Sequence, residues 1–139
     1  MNLYEMFKTD ERHEKEGVEI VYGDNSKGVP VVIKIARAGG ANIKYAKSLE
    51  RRCKPYRRQI QNETIDPKFA EQLIMETFAE SVILDWSGVE DEFGNDLPFS
   101  FENCVKLFKD LPDLWADIQS QSQKMALFRQ ELREEDLKN

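Results

Sequence analysis

The chain has 139 residues, is 40% hydrophobic and 33% charged, and carries a formal net charge of −6. That balance fits one polar globular domain over residues 1–139 and excludes a disordered chain. No apolar run approaches the roughly 18 residues a membrane helix needs. The opening Met1-Asn2-Leu3-Tyr4-Glu5 also lacks the basic-then-apolar layout of a secretion signal, so a cytoplasmic protein without membrane contact is expected.

Residues 1–17 are a charged lead-in where Leu3, Tyr4 and Phe7 recur at helical spacing, predicting a turn or two of helix docked on the body. Val18, Ile20 and Tyr22 then keep strand spacing. Turn formers fill residues 23–28, and residues 29–36 are largely β-branched, with Val31, Ile33 and Ile35 on one face. Residues 18–38 therefore read as a β-hairpin. Pro30 lacks a ladder donor and belongs at a strand start or an edge.

Gly39 and Gly40 break the strand as a hinge. Asn42 is placed to cap a helix whose apolar stripe is Ile43, Ala46, Leu49, Cys53, Tyr56 and Ile60. Pro55 should kink or split that helix near Cys53. Asp66 followed by Pro67 is a cap and a first-turn proline. They open a core helix expected from residue 67 to about residue 86, bearing Phe69, Leu73, Ile74, Phe78, Val82, Ile83 and Trp86.

An acidic loop with a Gly94–Asn95 turn follows, and Ser100 caps a short helix carrying Phe101, Cys104, Val105, Leu107 and Phe108. After Leu111-Pro112 a last helix carries Leu114, Trp115, Ile118, Met125, Leu127, Phe128 and Leu132, with residues 131–139 expected to fray. Strands precede helices, so the fold class is α+β: an N-terminal β-hairpin followed by a mainly α-helical bundle over residues 41–136.

Function is sought first in the charge. Residues 42–60 hold Lys44, Lys47, Arg51, Arg52, Lys54, Arg57 and Arg58 against Glu50, a local +6 that leaves −12 for the rest. A basic helix on an acidic body suits an acidic partner, nucleic acid or a second copy of the chain. The acidic remainder weighs against nucleic acid, because it repels a polyanion wherever the body approaches. The last helix gives a second candidate, since Trp115, Ile118, Met125 and Phe128 form a bulky, adaptable face for a partner helix or for packing inside the domain. The partner-contact candidates are thus Lys47, Arg51, Lys54, Arg58, Trp115, Ile118, Met125 and Phe128.

Catalysis finds no starting constellation, and no enzyme is expected. Cys53, Cys104 and the single His13 do not make a zinc site, which takes about four nitrogen or sulfur ligands. The acids at 85, 90, 91, 92 and 96 miss the calcium-loop pattern, because Glu90 stands where that loop needs glycine and Asp96 where it needs glutamate. Gly39-Gly40 precede a helix but lack the rest of a phosphate-loop motif. No metal and no cofactor is expected.

Several stretches carry a family likeness. They are Ile35-Ala36-Arg37-Ala38-Gly39-Gly40-Ala41-Asn42, Lys54-Pro55-Tyr56-Arg57-Arg58, Trp86-Ser87-Gly88-Val89, Asp96-Leu97-Pro98-Phe99-Ser100 with Asn103, and Leu111-Pro112-Asp113-Leu114. Over residues 35 to 115 the chain resembles the tail assembly chaperones of long-tailed (siphovirus-type) bacteriophages. The resemblance implies a protein that binds the tape measure protein, keeps it soluble and helps recruit tail tube protein in the host cell cytoplasm, as a homo-oligomer absent from the mature virion. It also implies a second, longer form made by ribosomal frameshifting near the end of the reading frame. The alternatives are a structural tail or head–tail connector component retained in the virion and, third, a nucleic-acid-binding protein using residues 42–60.

Overall fold

A computed structural model describes residues 2–124 and 128. Its elements run α1 (Leu3–Phe7), α2 (Glu11–Glu16), β1 (Val18–Asp24), β2 (Pro30–Ile35), α3 (Ile43–Cys53), a 3-10 turn (Lys54–Tyr56), α4 (Arg57–Gln61), α5 (Pro67–Ser81), β3 (Ile83–Ser87), α6 (Phe101–Asp110) and α7 (Pro112–Gln121). The α+β class and the N-terminal hairpin hold, with helices following. The expected fraying of residues 131–139 lies outside the described residues.

The sheet is antiparallel in the order β1-β2-β3. Its register places Val18 opposite Ile35, Ile20 opposite Ile33, Ile33 opposite Trp86 and Ile35 opposite Ile83. Alternation puts Val18, Ile20, Ile33 and Ile35 on one face, the register shift between Lys34 and Ile35 lets both Ile83 and Trp86 join it, and all belong to or pack on the buried cluster with Phe78, Ala79, Val82, Phe108, Trp115 and Ile118. The opposite face sets Lys34 between Glu19 and Asp85, opposite charges directly across the ladder. Pro30 opens β2, where its missing donor costs least.

The third strand corrects the expectation of a helix reaching residue 86. Helix α5 stops at Ser81, and Ile83–Ser87 instead completes the sheet on β2. Near the helix end Thr77 Oγ1 donates to Leu73 O at 2.8 Å and Ser81 Oγ to Thr77 O at 2.6 Å, side-chain bonds that compete with helical continuation. After the cap Val82, the β-branched Ile83 finds an open strand edge that satisfies its backbone better than another helical turn.

Other boundaries follow local chemistry. Asp66 accepts from Phe69 N and Ser100 from Asn103 N, as N-caps do. Pro55 ends α3 in a 3-10 turn before α4, and Pro112 starts α7. Leu3, Tyr4 and Phe7 of α1, expected to dock it on the body, are exposed instead, Tyr4 at 85%. The helix is formed with Asn2 as its cap, yet none of its residues is buried.

Candidate functional site

The basic segment begins at a tightly held loop. Ala36 N donates to Val82 O at 2.7 Å, Arg37 N to Glu14 O at 2.9 Å and Ala38 N to Ser122 O at 2.9 Å. The backbone turns through Gly39 and Gly40, both at positive φ. The carboxylate of Glu14, from α2, lies against this turn. It accepts from Thr9 Oγ1 at 2.5 Å, Arg37 NH1 at 2.6 Å and Ala41 N at 2.6 Å. Burial alone would raise the pKa of Glu14, but these three donors outweigh it and hold the carboxyl below its usual range. The amide that the glycine pair offers to an anion is thus taken by the chain's own carboxylate. Gly40 suits this turn, because its φ of +54° favours glycine and a Cβ would stand 2.7 Å from Glu14 Oε2 and displace the carboxylate.

Asn42 does not cap α3 with its side chain. Its amide donates instead to Arg37 O at 2.8 Å and Ser81 O at 2.9 Å, tying the loop to the end of α5. Helix α3 also turns a different face inward from the expected one. Tyr45 meets Phe78 edge-on at 5.7 Å and Ser48 is buried. Arg52 bonds Glu76 at 3.2 Å and Glu80 at 2.6 Å, with its guanidinium 5.2 Å from the centre of the Phe101 ring. Ile43, Ala46 and Ile60 of the expected stripe lie outside, Ile43 at 60% exposure. Helix α3 thus meets α5 through the Arg51 and Arg52 ion pairs and through Tyr45 on Phe78.

The basic candidates divide accordingly. Arg51 is exposed but pairs with Glu80, whose pKa falls to about 2, chiefly through that bond and against opposing burial, with further help from Ser48 and Arg52. Lys47, Lys54 and Arg58 are exposed and make no ion pair among the described residues, as do Lys44 and Arg57. Tyr56 anchors the turn between α3 and α4, packing on Phe69 at 4.8 Å. The result is a basic outer edge on a rigid support.

The last-helix candidates lie elsewhere. Trp115, Ile118 and Phe128 are buried, and Met125 lies outside the described residues. Trp115 packs on Phe78 at 4.9 Å and Phe108 at 4.8 Å between ring centres, and its Nε1 donates to Glu71 Oε1. These three side chains build the core and present no free face. Helical spacing alone could not separate that outcome from partner binding, because both need a bulky apolar stripe.

The outward apolar residues include one that sequence reasoning passed over. Phe93 is 81% exposed at the tip of a turn. Asp91 Oδ1 accepts from Phe93 N and Asn95 N, both at 2.9 Å, while Glu90 accepts from Ser26 N and Ser26 Oγ, both at 2.7 Å. The acids at 90 and 91 therefore hold a turn. The signal available in the sequence was the turn pattern Asp91 to Asn95 around Phe93, which sets that residue at a loop tip.

Among the described residues no group of three His, Cys, Asp or Glu is arranged to hold a metal ion, and no helix is long and apolar enough to cross a membrane. Cys53 and Cys104 are free thiols, and burial pushes Cys104 up to about 12, which keeps it protonated.

Residues 39–139 match the family described as YdaY prophage protein. The match covers well over half of the chain, which belongs to that family and is phage-derived. No curated protein and no solved structure matches it.

Proposed function

We propose that this member of the YdaY prophage protein family is a tail assembly chaperone. In this reading it binds the tape measure protein, keeps it in solution and helps gather tail tube subunits, acting by binding rather than catalysis in the host cytoplasm. It leaves before the virion is complete.

The observation that carries the reading is that stretches bearing the chaperone resemblance meet in space. Trp86 Nε1 donates to Leu97 O at 2.8 Å, and the Trp86 ring meets Phe99 at 5.1 Å. Asn103 Nδ2 donates to Pro98 O at 2.9 Å while Ser100 caps the helix bearing Asn103. The joint placement of these stretches supports a shared architecture, and the phage origin of the family agrees with it.

The surface gives further support. A holdase needs outward apolar groups for its client and enough charge to stay dispersed. Leu3, Tyr4, Phe7 and Phe93 face outward on a chain of net −6. Since Trp115, Ile118 and Phe128 are core, client contact is assigned to the exposed Leu3, Tyr4 and Phe7 of α1.

Mass spectrometry of particles released from induced lysogens tests the reading. The protein is expected in the induced cells and absent from purified particles. Stoichiometric presence in the particles would replace this reading with that of a structural tail or connector component.

A further inference from the structure

A groove and a ridge on this chain carry complementary chemistry. The groove, about 880 Å³, lies between the turn at residues 90–97 and the C-terminal end of α6. Its apolar wall is Phe93, Leu97, Leu107 and Leu111, with Phe93 81% and Leu111 48% exposed. Its rim bears Glu90, Asp91, Glu92 and Asp110 against Lys106, a net −3. Glu90 and Asp91 are engaged within the turn and Asp110 pairs with Lys106, while Glu92 makes no hydrogen bond or ion pair among the described residues. An occupant has to be cationic and carry apolar side chains.

The ridge has that character. Lys54, Arg57 and Arg58 stand exposed, without ion pairs among the described residues, beside the half-exposed Ile60, on a segment fixed by Tyr56 against Phe69. None of these residues lines the groove, so the chain does not fill its own groove with them. Contacts of like with like, ridge on ridge or groove on groove, set equal charges together and are disfavoured. A ridge-to-groove contact joins different surfaces of two copies and so propagates head to tail.

We propose that the groove walled by Phe93 and Leu111 receives the Lys54–Arg58 ridge of a second copy of this chain. The inference rests on the assembly role proposed above and deepens it by naming the two surfaces through which copies join. A row of copies built this way suits a long client, each copy leaving α1 outside the joint.

Sedimentation velocity on the full chain tests this. The unaltered protein is expected to associate with increasing concentration, more strongly at low salt than at high salt. Arg57→Glu with Arg58→Glu, and separately Glu92→Lys with Asp110→Lys, should each weaken association about a hundredfold, since like charges then meet across the joint. Mixing the two variants should restore association, because the groove variant keeps the ridge that fits the ridge variant's groove, and the reversed ridge and reversed groove are again opposite in charge. Phe93→Ser, a change at an exposed site that alters no charge, should weaken association about tenfold while leaving the fold intact.

A protein monomeric at every concentration, single-surface variants that associate like the unaltered chain, or a mixture no stronger than its parts would each overturn the inference. If the ridge variant loses tape measure binding but not self-association, the ridge belongs to the client, which also overturns it. Client solubility is measured in separate samples, so failure of self-association leaves the chaperone reading standing on its own test.

Discussion

Glu14 closes its carboxylate on the backbone N–H of Ala41, 27 residues further along the chain, at 2.6 Å. The same carboxylate holds Arg37 and Thr9, so one acid fastens α2 and the segment preceding it to the loop that launches the basic helix. Glu14→Gln keeps the shape but turns an N–H₂ toward groups that already donate. It should destabilise the fold by about 2 kcal/mol, the cost of a buried donor left facing donors. Urea unfolding of the paired proteins measures it, and a loss under about 0.5 kcal/mol would contradict the latch.

Acid should act on the same groups. Glu14 and Glu80 both have folded pKa values below the ordinary 4.5, Glu80 at about 2. The unfolded chain therefore binds their protons more tightly. Their contribution is complete above pH ~4.5 and is lost as pH falls toward ~2. Urea midpoints should hold steady from these groups between about pH 5 and 8 and drop below pH 4.5. Glu80→Gln should flatten that drop, and an unchanged slope would contradict the role of the Arg51–Glu80–Arg52 bridge. Glu80 remains partly open to water, which trims its contribution.

Trp115→Ala should cost about 4 kcal/mol, because it empties a space shared with Phe78 and Phe108 and strands Glu71. The loss should be present in the isolated protein. A variant with an unchanged melting temperature would return Trp115 to the list of partner contacts.

Gly88→Ala tests the sheet. A Cβ at Gly88 would lie 2.1 Å from Pro30 O, and the residue has a φ of +73°. The Pro30 carbonyl is backbone and cannot rotate away. The substitution should cost about 3 kcal/mol from strain and displacement together, and thermal unfolding reads it directly.

Much of the fold was legible in the sequence wherever a local rule decided the outcome. The hairpin followed from alternation and turn formers, and the caps at Asp66 and Ser100 from side chains that satisfy helix amides. What escaped was set by partners distant in sequence. Val82, Ile83 and Trp86 continue the helical spacing of Phe78, but α5 ends at the cap Val82 and the free edge of β2 draws Ile83 and Trp86 into a strand. The inward face of α3 was misjudged because apolar spacing ignores Arg52, whose burial depends on Glu76 and Glu80 of another helix. The Glu14 latch was hidden for the same reason. The candidate site was half legible: Lys47, Lys54 and Arg58 are on an open edge, whereas Trp115, Ile118 and Phe128 are interior.

Co-expression with the tape measure protein of the same prophage, followed by affinity capture and light scattering, tests the central claim most directly. The chaperone account predicts that the tape measure protein is soluble only in the presence of this chain and is captured with it at a fixed copy number. A tape measure protein that precipitates regardless, while this chain elutes alone, would contradict it.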